Sequence, residues 1–506
     1  MLFNSYLFIF LFLPIALSGY FLLNRLKHYT VAKYFLTGMS LWFYAYFNIS
    51  YLGIIAASVT FNYLCHLLIL KRVHPRAVLT GGILGNLAIL FYFKYFSFVV
   101  ESINKLAHWD SPVPDILLPL GISFFTFQQL GFLIDTARGG VSRQSVSDYA
   151  LFVTFFPQLV AGPIVSHEEM LPQFQDISKK SFCFANFYTG IRIFILGLAK
   201  KVLLADTFGI AANWGFQHYA SLDALNTFLV ILSYTFQLYL DFSGYCDMAR
   251  GIGLMFNIKI AVNFLSPYKA VNIRDFWDRW HITLNRFFTR YLYIPLGGSR
   301  KGMARTCLNI MIVFLCSGIW HGAGWTFLLW GLLHGILSVL TRIWQRAKEN
   351  LPHVKPLPPD KSSPAWYQRF LRGISILLTF FFVMLTWTFF RADTVTQAVN
   401  MLKKLFFWEN LPRKIQIHKE IARAFQLPEF FYILKFFKLD TLPLGSCYCM
   451  FLFFAAAVIL IFFCKNLYET KNSHTPCTAG TIGLSVLLVW SVLSFSGVST
   501  FLYFNF

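Results

Sequence analysis

The chain reads as an all-α polytopic membrane protein of about eleven transmembrane helices, with re-entrant and interfacial helices besides. Three observations predict this. Of 506 residues, 57% are hydrophobic and only 13% charged, a balance no ordinary soluble domain has. The apolar residues gather in runs long enough to cross a hydrocarbon core of roughly 30 Å. The basic residues behind the net charge of +21 sit in short loops between those runs, as the positive-inside rule describes. That placement points to membrane lipids as the partner of the positive charge and argues against nucleic acid.

Phe3 to Leu23 is an apolar run ending in Asn24-Arg25-Leu26-Lys27-His28. With no basic stretch before it and no small-residue cleavage site, it reads as an uncleaved first span whose basic end is cytoplasmic. Phe35 to Leu70 fits a two-span hairpin turning near Asn48-Ile49-Ser50, and Val78 to Phe96 a further span. Glu101 to Asp115, acidic on balance, reads as an outer loop. Ile116 to Ile134 mixes proline, glycine, serine, threonine and glutamine into an apolar run, so its polar groups need protein partners. Phe155 to Pro163 carries Pro157 and Pro163 near its two ends and reads as re-entrant. Spans follow at about Phe187 to Leu204 and Leu225 to Leu240. The second runs into Asp241-Phe242-Ser243-Gly244-Tyr245-Cys246-Asp247, where carboxylates at membrane depth need a basic or hydrogen-bonding partner.

The stretch from Val271 to Leu340 organises the rest. Apolar side chains recur at three- and four-residue intervals from Ile273 to Tyr291, predicting one amphipathic interfacial helix. His281 shares its apolar face, and Arg274, Arg279, Arg286 and Arg290 take the other, toward headgroups. From Thr306 to Thr341 there is no Asp, Glu, Lys or Arg. His321 lies midway, in Ser317-Gly318-Ile319-Trp320-His321-Gly322-Ala323-Gly324, where the glycines predict a bent or broken helix lining a cavity. His334 follows thirteen residues later. Gln345 to Arg372, charged and proline-rich, is a loop. Leu377 to Phe390 is a span, Thr394 to Leu444 a mixed segment, and Cys449 to Phe463 and Gly480 to Val498 are the last two spans. The nine cysteines are scattered and form neither a disulfide framework nor a metal-ligand pattern.

The motifs Leu118-Pro119-Leu120-Gly121-Ile122-Ser123-Phe124, Phe156-Pro157-Gln158-Leu159-Val160-Ala161-Gly162-Pro163, Asp241-Phe242-Ser243-Gly244-Tyr245, Phe276-Trp277-Asp278-Arg279-Trp280-His281 and Trp320-His321-Gly322 occur in this order. Together they resemble the membrane-bound O-acyltransferases, and within them the bacterial alginate and peptidoglycan O-acetyltransferase branch. One departure is visible: Asp278 stands where a second arginine between the two tryptophans is usual. The resemblance implies one domain over 1–506, with N-terminal spans to about 110, a catalytic motif region over 111–345 and C-terminal spans over 346–506. It implies helices enclosing a tunnel in which a cytoplasmic acyl thioester, acetyl-coenzyme A or another, meets an acceptor hydroxyl, with no bound cofactor or metal. His321 becomes the catalytic histidine and His281 the second catalytic position.

Each assignment has a plainer reading beside it. His321 alone could be a packed histidine bonded to a carbonyl; the charge-free surroundings and the resemblance favour a base, since an imidazole of ordinary pKa about 6.5 suits proton removal near neutrality. His334 and Asp241 read as scaffold rather than chemistry, and with Ser243 and Trp320 they are tunnel-lining candidates. Arg274, Arg279, Arg286 and Arg290 suit donor phosphates and headgroups equally. The ending Phe501-Leu502-Tyr503-Phe504-Asn505-Phe506 is either an interfacial anchor or, as in similar proteins, a tail in which Tyr503 carries the acyl group. The expected function is O-acetylation of an extracytoplasmic envelope polysaccharide from the inner membrane, with a periplasmic transferase or esterase-like partner. The alternatives are transfer of D-alanyl or larger acyl groups, and a transporter or flippase with His321 as proton relay.

Overall fold

The computed structural model describes residues 1–350, 365–407, 416–426, 435–436, 438, 447–468, 478–497 and 501–502. Among these, every regular element is a helix. Six helices are long and apolar enough to cross a membrane: Phe8–Arg25, Tyr51–Leu70, Pro75–Ala107, Gly302–His321, Trp325–Lys348 and Trp366–Arg391. Shorter apolar helices cover Tyr448–Phe463 and Thr478–Leu493. The chain is a multi-pass membrane protein.

The helices that position the site and its scaffold are α1 (Leu13–Arg25), α2 (Phe184–Ala199), α3 (Ala224–Met255), α4 (Ile273–Arg279), α5 (Ile282–Phe288), α6 (Gly302–His321), α7 (Trp325–Asn350), α8 (Ala365–Arg391) and α9 (Thr478–Leu493). Two interleaved units divide the chain. The first comprises Met1–Ala199, Phe242–Val262 and Ser473–Phe506, and the second Lys200–Asp241 and Asn263–Asn472.

In the first unit, α2 and the Phe242–Met255 part of α3 meet through glycines. A Cβ on Gly190 would stand 2.6 Å from the Gly251 carbonyl oxygen, and one on Gly197 2.7 Å from that of Gly244. Small residues let two backbones approach where lipid supplies no hydrophobic push between helices. The same unit joins the chain's distant parts. The Tyr6 hydroxyl donates to the Val492 carbonyl at 3.0 Å, and the Tyr6 ring meets Phe495 edge-on at 5.1 Å. The polar run before 134 folds as the helix Ile122–Ala137, its carboxamides satisfied internally. Gln128 donates to the Phe152 carbonyl, and Gln129 bridges the Ser58 and Tyr149 hydroxyls.

The structure corrects four expectations. Residues 101–107, expected in a loop, continue the helix Phe96–Ala107. The span expected to stop at Leu240 runs on to Met255. Asp241 does not break it, because its charge is met: Lys201 holds the carboxylates of Asp241 and Asp206 at 2.5 and 2.8 Å. Lys201 sits in a π-turn, Lys200–Ala205, and is 1% exposed. The loop expected over Gln345 to Arg372 is helical at both described ends, 345–350 in α7 and 365–372 in α8. The fourth correction concerns the region of His281.

Candidate active site

Instead of one amphipathic helix over 272–291, the chain makes α4, a break at Trp280-His281, and α5. Asn272 caps α4, its side chain accepting from the Asp275 amide at 3.0 Å. The helix stops because a non-helical segment, 263–265, grips the backbone on both sides of the break. The Leu265 amide donates to the Arg279 carbonyl at 3.0 Å, and the Ile282 amide to the Asn263 carbonyl at 3.1 Å. Asn263 Oδ1 accepts from both the amide and the hydroxyl of Thr283. His281 is left between them at φ +46°, a left-handed conformation that non-glycine residues seldom adopt. Its side chain is turned inward and 1% exposed, not laid on a membrane surface.

The second histidine also stands at a break. His321 is the last residue of α6, Gly322-Ala323-Gly324 make the turn, and α7 begins at Trp325. This is the broken helix the glycines predict. Gly318 and Gly331 bring the two helices together: a Cβ on either would lie 2.5 Å from a carbonyl oxygen, of Phe327 and Phe314 respectively.

The two breaks bring the imidazoles edge to face within the second unit. The His281 and His321 ring centres are 6.4 Å apart at 61°, and Trp320 lies 6.0 Å from the first and 4.9 Å from the second. Trp330 and Phe390 each stand 5.1 Å from the His321 ring at steep angles. Burial pushes the His281 imidazole down to about 3, so it is neutral at physiological pH. A buried imidazole walled by aromatic rings, His321, can accept and return a proton to a group placed against it, with little water to compete.

A profile of the membrane-bound O-acyltransferase family matches residues 134–353, which include both histidines. The peptidoglycan O-acetyltransferase of Helicobacter pylori is 39% identical, over all of this chain and 98% of that protein. The chain belongs to the membrane-bound O-acyltransferase family. The probable alginate O-acetylase AlgI of Pseudomonas aeruginosa is 36% identical over 80% of this chain and 75% of its own. The teichoic acid D-alanyltransferase of Bacillus subtilis stands further off, at 25% over 62% of this chain. As a member of the family the chain is an O-acyltransferase.

Within this O-acyltransferase the remaining predicted residues fall into distinct places. His334 is structural in its bonding. Its Nδ1 accepts from the Trp277 indole at 3.3 Å, so the proton of the neutral ring is on Nε2, 2.9 Å from the Thr386 hydroxyl. That hydroxyl donates onward to the Val383 carbonyl, which leaves its oxygen to accept from His334. Asp241 belongs to the Lys201 cluster described above. Ser243 is buried in the first unit, and its hydroxyl has no partner among the described residues. Tyr503 lies outside the described residues. Of the four arginines, Arg279 is held by Asp275 at 2.6 Å and by the Leu265 carbonyl at 3.3 Å, so it braces the break. Arg290 lies over the Tyr291 ring, Arg286 is exposed, and Arg274 reaches Gln345 at 3.4 Å.

Sequence reasoning missed one cluster. Asp135, His167 and Glu168 place their ligand atoms within 4.8 Å of one another. Two of the three are already bonded together, His167 Nε2 to Asp135 at 3.1 Å, with Arg138 3.7 Å from the same carboxylate. Asp135 lies more than thirty positions before His167 and Glu168, with no spacing to connect them.

Proposed function

We propose that the chain moves an acetyl group from a cytoplasmic acyl thioester, acetyl-coenzyme A foremost, to a hydroxyl, for O-acetylation of an extracytoplasmic polysaccharide of the peptidoglycan or alginate kind. The names of the peptidoglycan and alginate relatives support the polysaccharide acceptor. The observation that carries the reading is the pair of buried imidazoles, His281 and His321, 6.4 Å apart at two helix breaks. In this reading His321 takes the proton from the acceptor hydroxyl as its oxygen attacks the thioester carbonyl. The tetrahedral adduct collapses, the carbon–sulfur bond breaks, and the thiolate leaves with the proton that His321 returns. His281, held neutral, positions the donor carbonyl or the acceptor. The domain extends over 1–506, in the inner membrane, and a periplasmic transferase receives the acetyl group.

Tyr503 is the proposed relay. Its phenol, of ordinary pKa about 10, needs a base such as His321 to become a nucleophile. It would take the acetyl group as an ester and pass it to the outside partner. The test is mass spectrometry of envelope glycans from cells carrying each variant at equal expression. His321→Ala is expected to abolish glycan acetylation, and Tyr503→Phe to do the same while keeping the aromatic anchor. Wild-type acetylation by His321→Ala overturns the reading; wild-type acetylation by Tyr503→Phe reduces that residue to an anchor.

A further inference from the structure

A groove of about 510 Å³ lies in the first unit, walled by α1, α2 and one residue of α9. Its wall is apolar apart from the Ser18 hydroxyl. It follows the first helix from Ile9 to Phe21, a length of roughly 18 Å at helical rise. One leaflet of the hydrocarbon core is roughly 15 Å thick, half of the whole. Pro14, Ser18 and Phe182 on the wall are exposed. The groove therefore opens sideways into the membrane, and its length is that of one acyl chain.

The charges say which lipid. Arg25 stands one turn beyond Phe21 on the same face of α1, and Lys27 follows it. The Phe21 ring meets that of Phe182 edge-on at 5.4 Å, and Lys179 and Lys180 come just before Phe182. The mouth of the groove is thus cationic, and the positive-inside rule puts it at the cytoplasmic face. A second observation lies deeper. Arg192 follows Ile191 of the groove wall in α2 and is half-buried at membrane depth. The side chains of Arg25, Lys27 and Arg192 make no hydrogen bond or ion pair among the described residues. A cation within a membrane calls for an anion. Helical side chains lean toward the helix N-terminus, which in α2 is the cytoplasmic end, so Arg192 leans toward the mouth.

The surrounding carboxylates do not supply that anion. Residues 1–34 and 177–205 contain no Asp or Glu. Nearby, Asp176 accepts from the amide and hydroxyl of Ser178, and Asp148 is held by Lys33. A zwitterionic headgroup would add a cation with no carboxylate to meet it, whereas an anionic headgroup meets cations alone. The groove also bears on α9. Ser491 is the one buried residue of that helix, and Leu488 is its contribution to the groove wall. A chain seated there adds apolar contact to a helix that the protein covers thinly.

We propose that this groove binds one acyl chain of an anionic phospholipid of the cytoplasmic leaflet. Arg25, Lys27 and Arg192 hold its phosphate, and the lipid fastens α9 to α1 and α2. None of these residues takes part in the proposed chemistry, so the site stands or falls apart from the acyl-transfer reading.

The test uses the wild-type full chain in mild detergent, with phosphatidylglycerol carrying a photoreactive group on one acyl chain. Cross-linked peptides are expected from α1 and from residues 182–195. Unlabelled phosphatidylglycerol is expected to abolish them, and an equal amount of phosphatidylcholine to leave them. By native mass spectrometry, Arg25→Gln combined with Arg192→Gln is expected to bind phosphatidylglycerol at least tenfold more weakly than wild type. The corresponding pair of lysine substitutions, which keeps both charges, is expected to stay within threefold. Added phosphatidylglycerol is expected to raise the melting temperature of wild type and not that of the double glutamine variant. Cross-links spread evenly over the lipid-facing helices would mean ordinary solvation by the bilayer and overturn the inference. So would phosphatidylcholine competing as well as phosphatidylglycerol, or wild-type affinity in the double glutamine variant.

Discussion

The two helix breaks that hold the histidines are made in opposite ways. At Gly322-Ala323-Gly324 the local sequence breaks the helix, and His321 is simply the last residue before the turn. At Trp280-His281 nothing local would end a helix: there is no proline or glycine, and the apolar spacing continues across the gap. That break is imposed by the segment 263–265, which takes the Arg279 carbonyl and the Ile282 amide out of the helical ladder. The first break is tolerant of its distant surroundings and intolerant of Cβ atoms. The second is the reverse, and it forces a β-carbon-bearing residue into the left-handed region.

The comparison is broken most strongly by removing the base. His321→Ala should leave the glycine break folded and the protein inserted, while acyl transfer falls by about 10²–10⁴-fold or more. The measurement is the initial rate of acetyl transfer by purified protein, normalised to folded protein by size exclusion. Next is the packing beside the glycine break. Gly318→Val must move the Phe327 carbonyl, 2.5 Å from its new Cβ, so overpacking should cost about 1–3 kcal/mol. A thermal melt in detergent reads it, and an unchanged melt would mean that α6 and α7 separate without penalty. At the other break, Asn263→Ala removes the acceptor of the Thr283 amide and hydroxyl, worth about 1–3 kcal/mol if both stay buried. It should lower activity through His281, and Asn263→Asp should restore more of it than alanine does.

The smallest effect is that of pH. Burial holds the His281 pKa below its unfolded value, so its contribution to stability is full above pH about 6.5 and is lost as the pH falls toward the folded value. Below 6.5 the loss approaches about 1.4 kcal/mol per pH unit. His281→Asn tolerates the left-handed backbone and does not titrate. Between pH 7.5 and 5.5 its melting temperature should therefore drop less than that of wild type; equal drops would mean that His281 charges without penalty in the folded protein.

What could be read in advance follows the same division. The helical class, the spans and the Gly322 break are written in composition and in neighbouring residues, where periodicity and punctuation act. The unread features all depend on residues far apart. The break at His281 needs Asn263 and Leu265. The continuation of α3 past Asp241 needs Lys201, forty positions earlier. The lipid groove needs α1, α2 and Leu488 of α9 together, and the scaffold role of His334 needs Trp277 and Thr386. Arg279, indistinguishable by pattern from Arg274, turned out to brace a break because Asp275 and Leu265 reach it.

The bond from the Tyr6 hydroxyl to the Val492 carbonyl spans 486 positions, and it sets a schedule for assembly. Tyr6 is made 486 positions before Val492 of α9, which supplies that carbonyl. At a synthesis rate of roughly 5–20 residues per second, the partner arrives roughly half a minute to a minute and a half later. The second unit, ending at Asn472, is complete by then, while the first still lacks its last piece. During that interval the Tyr6 hydroxyl and the surface of α2 that α9 packs against are without these partners. A nascent chain stalled before residue 478 would therefore hold every segment of the second unit while the first still lacked α9.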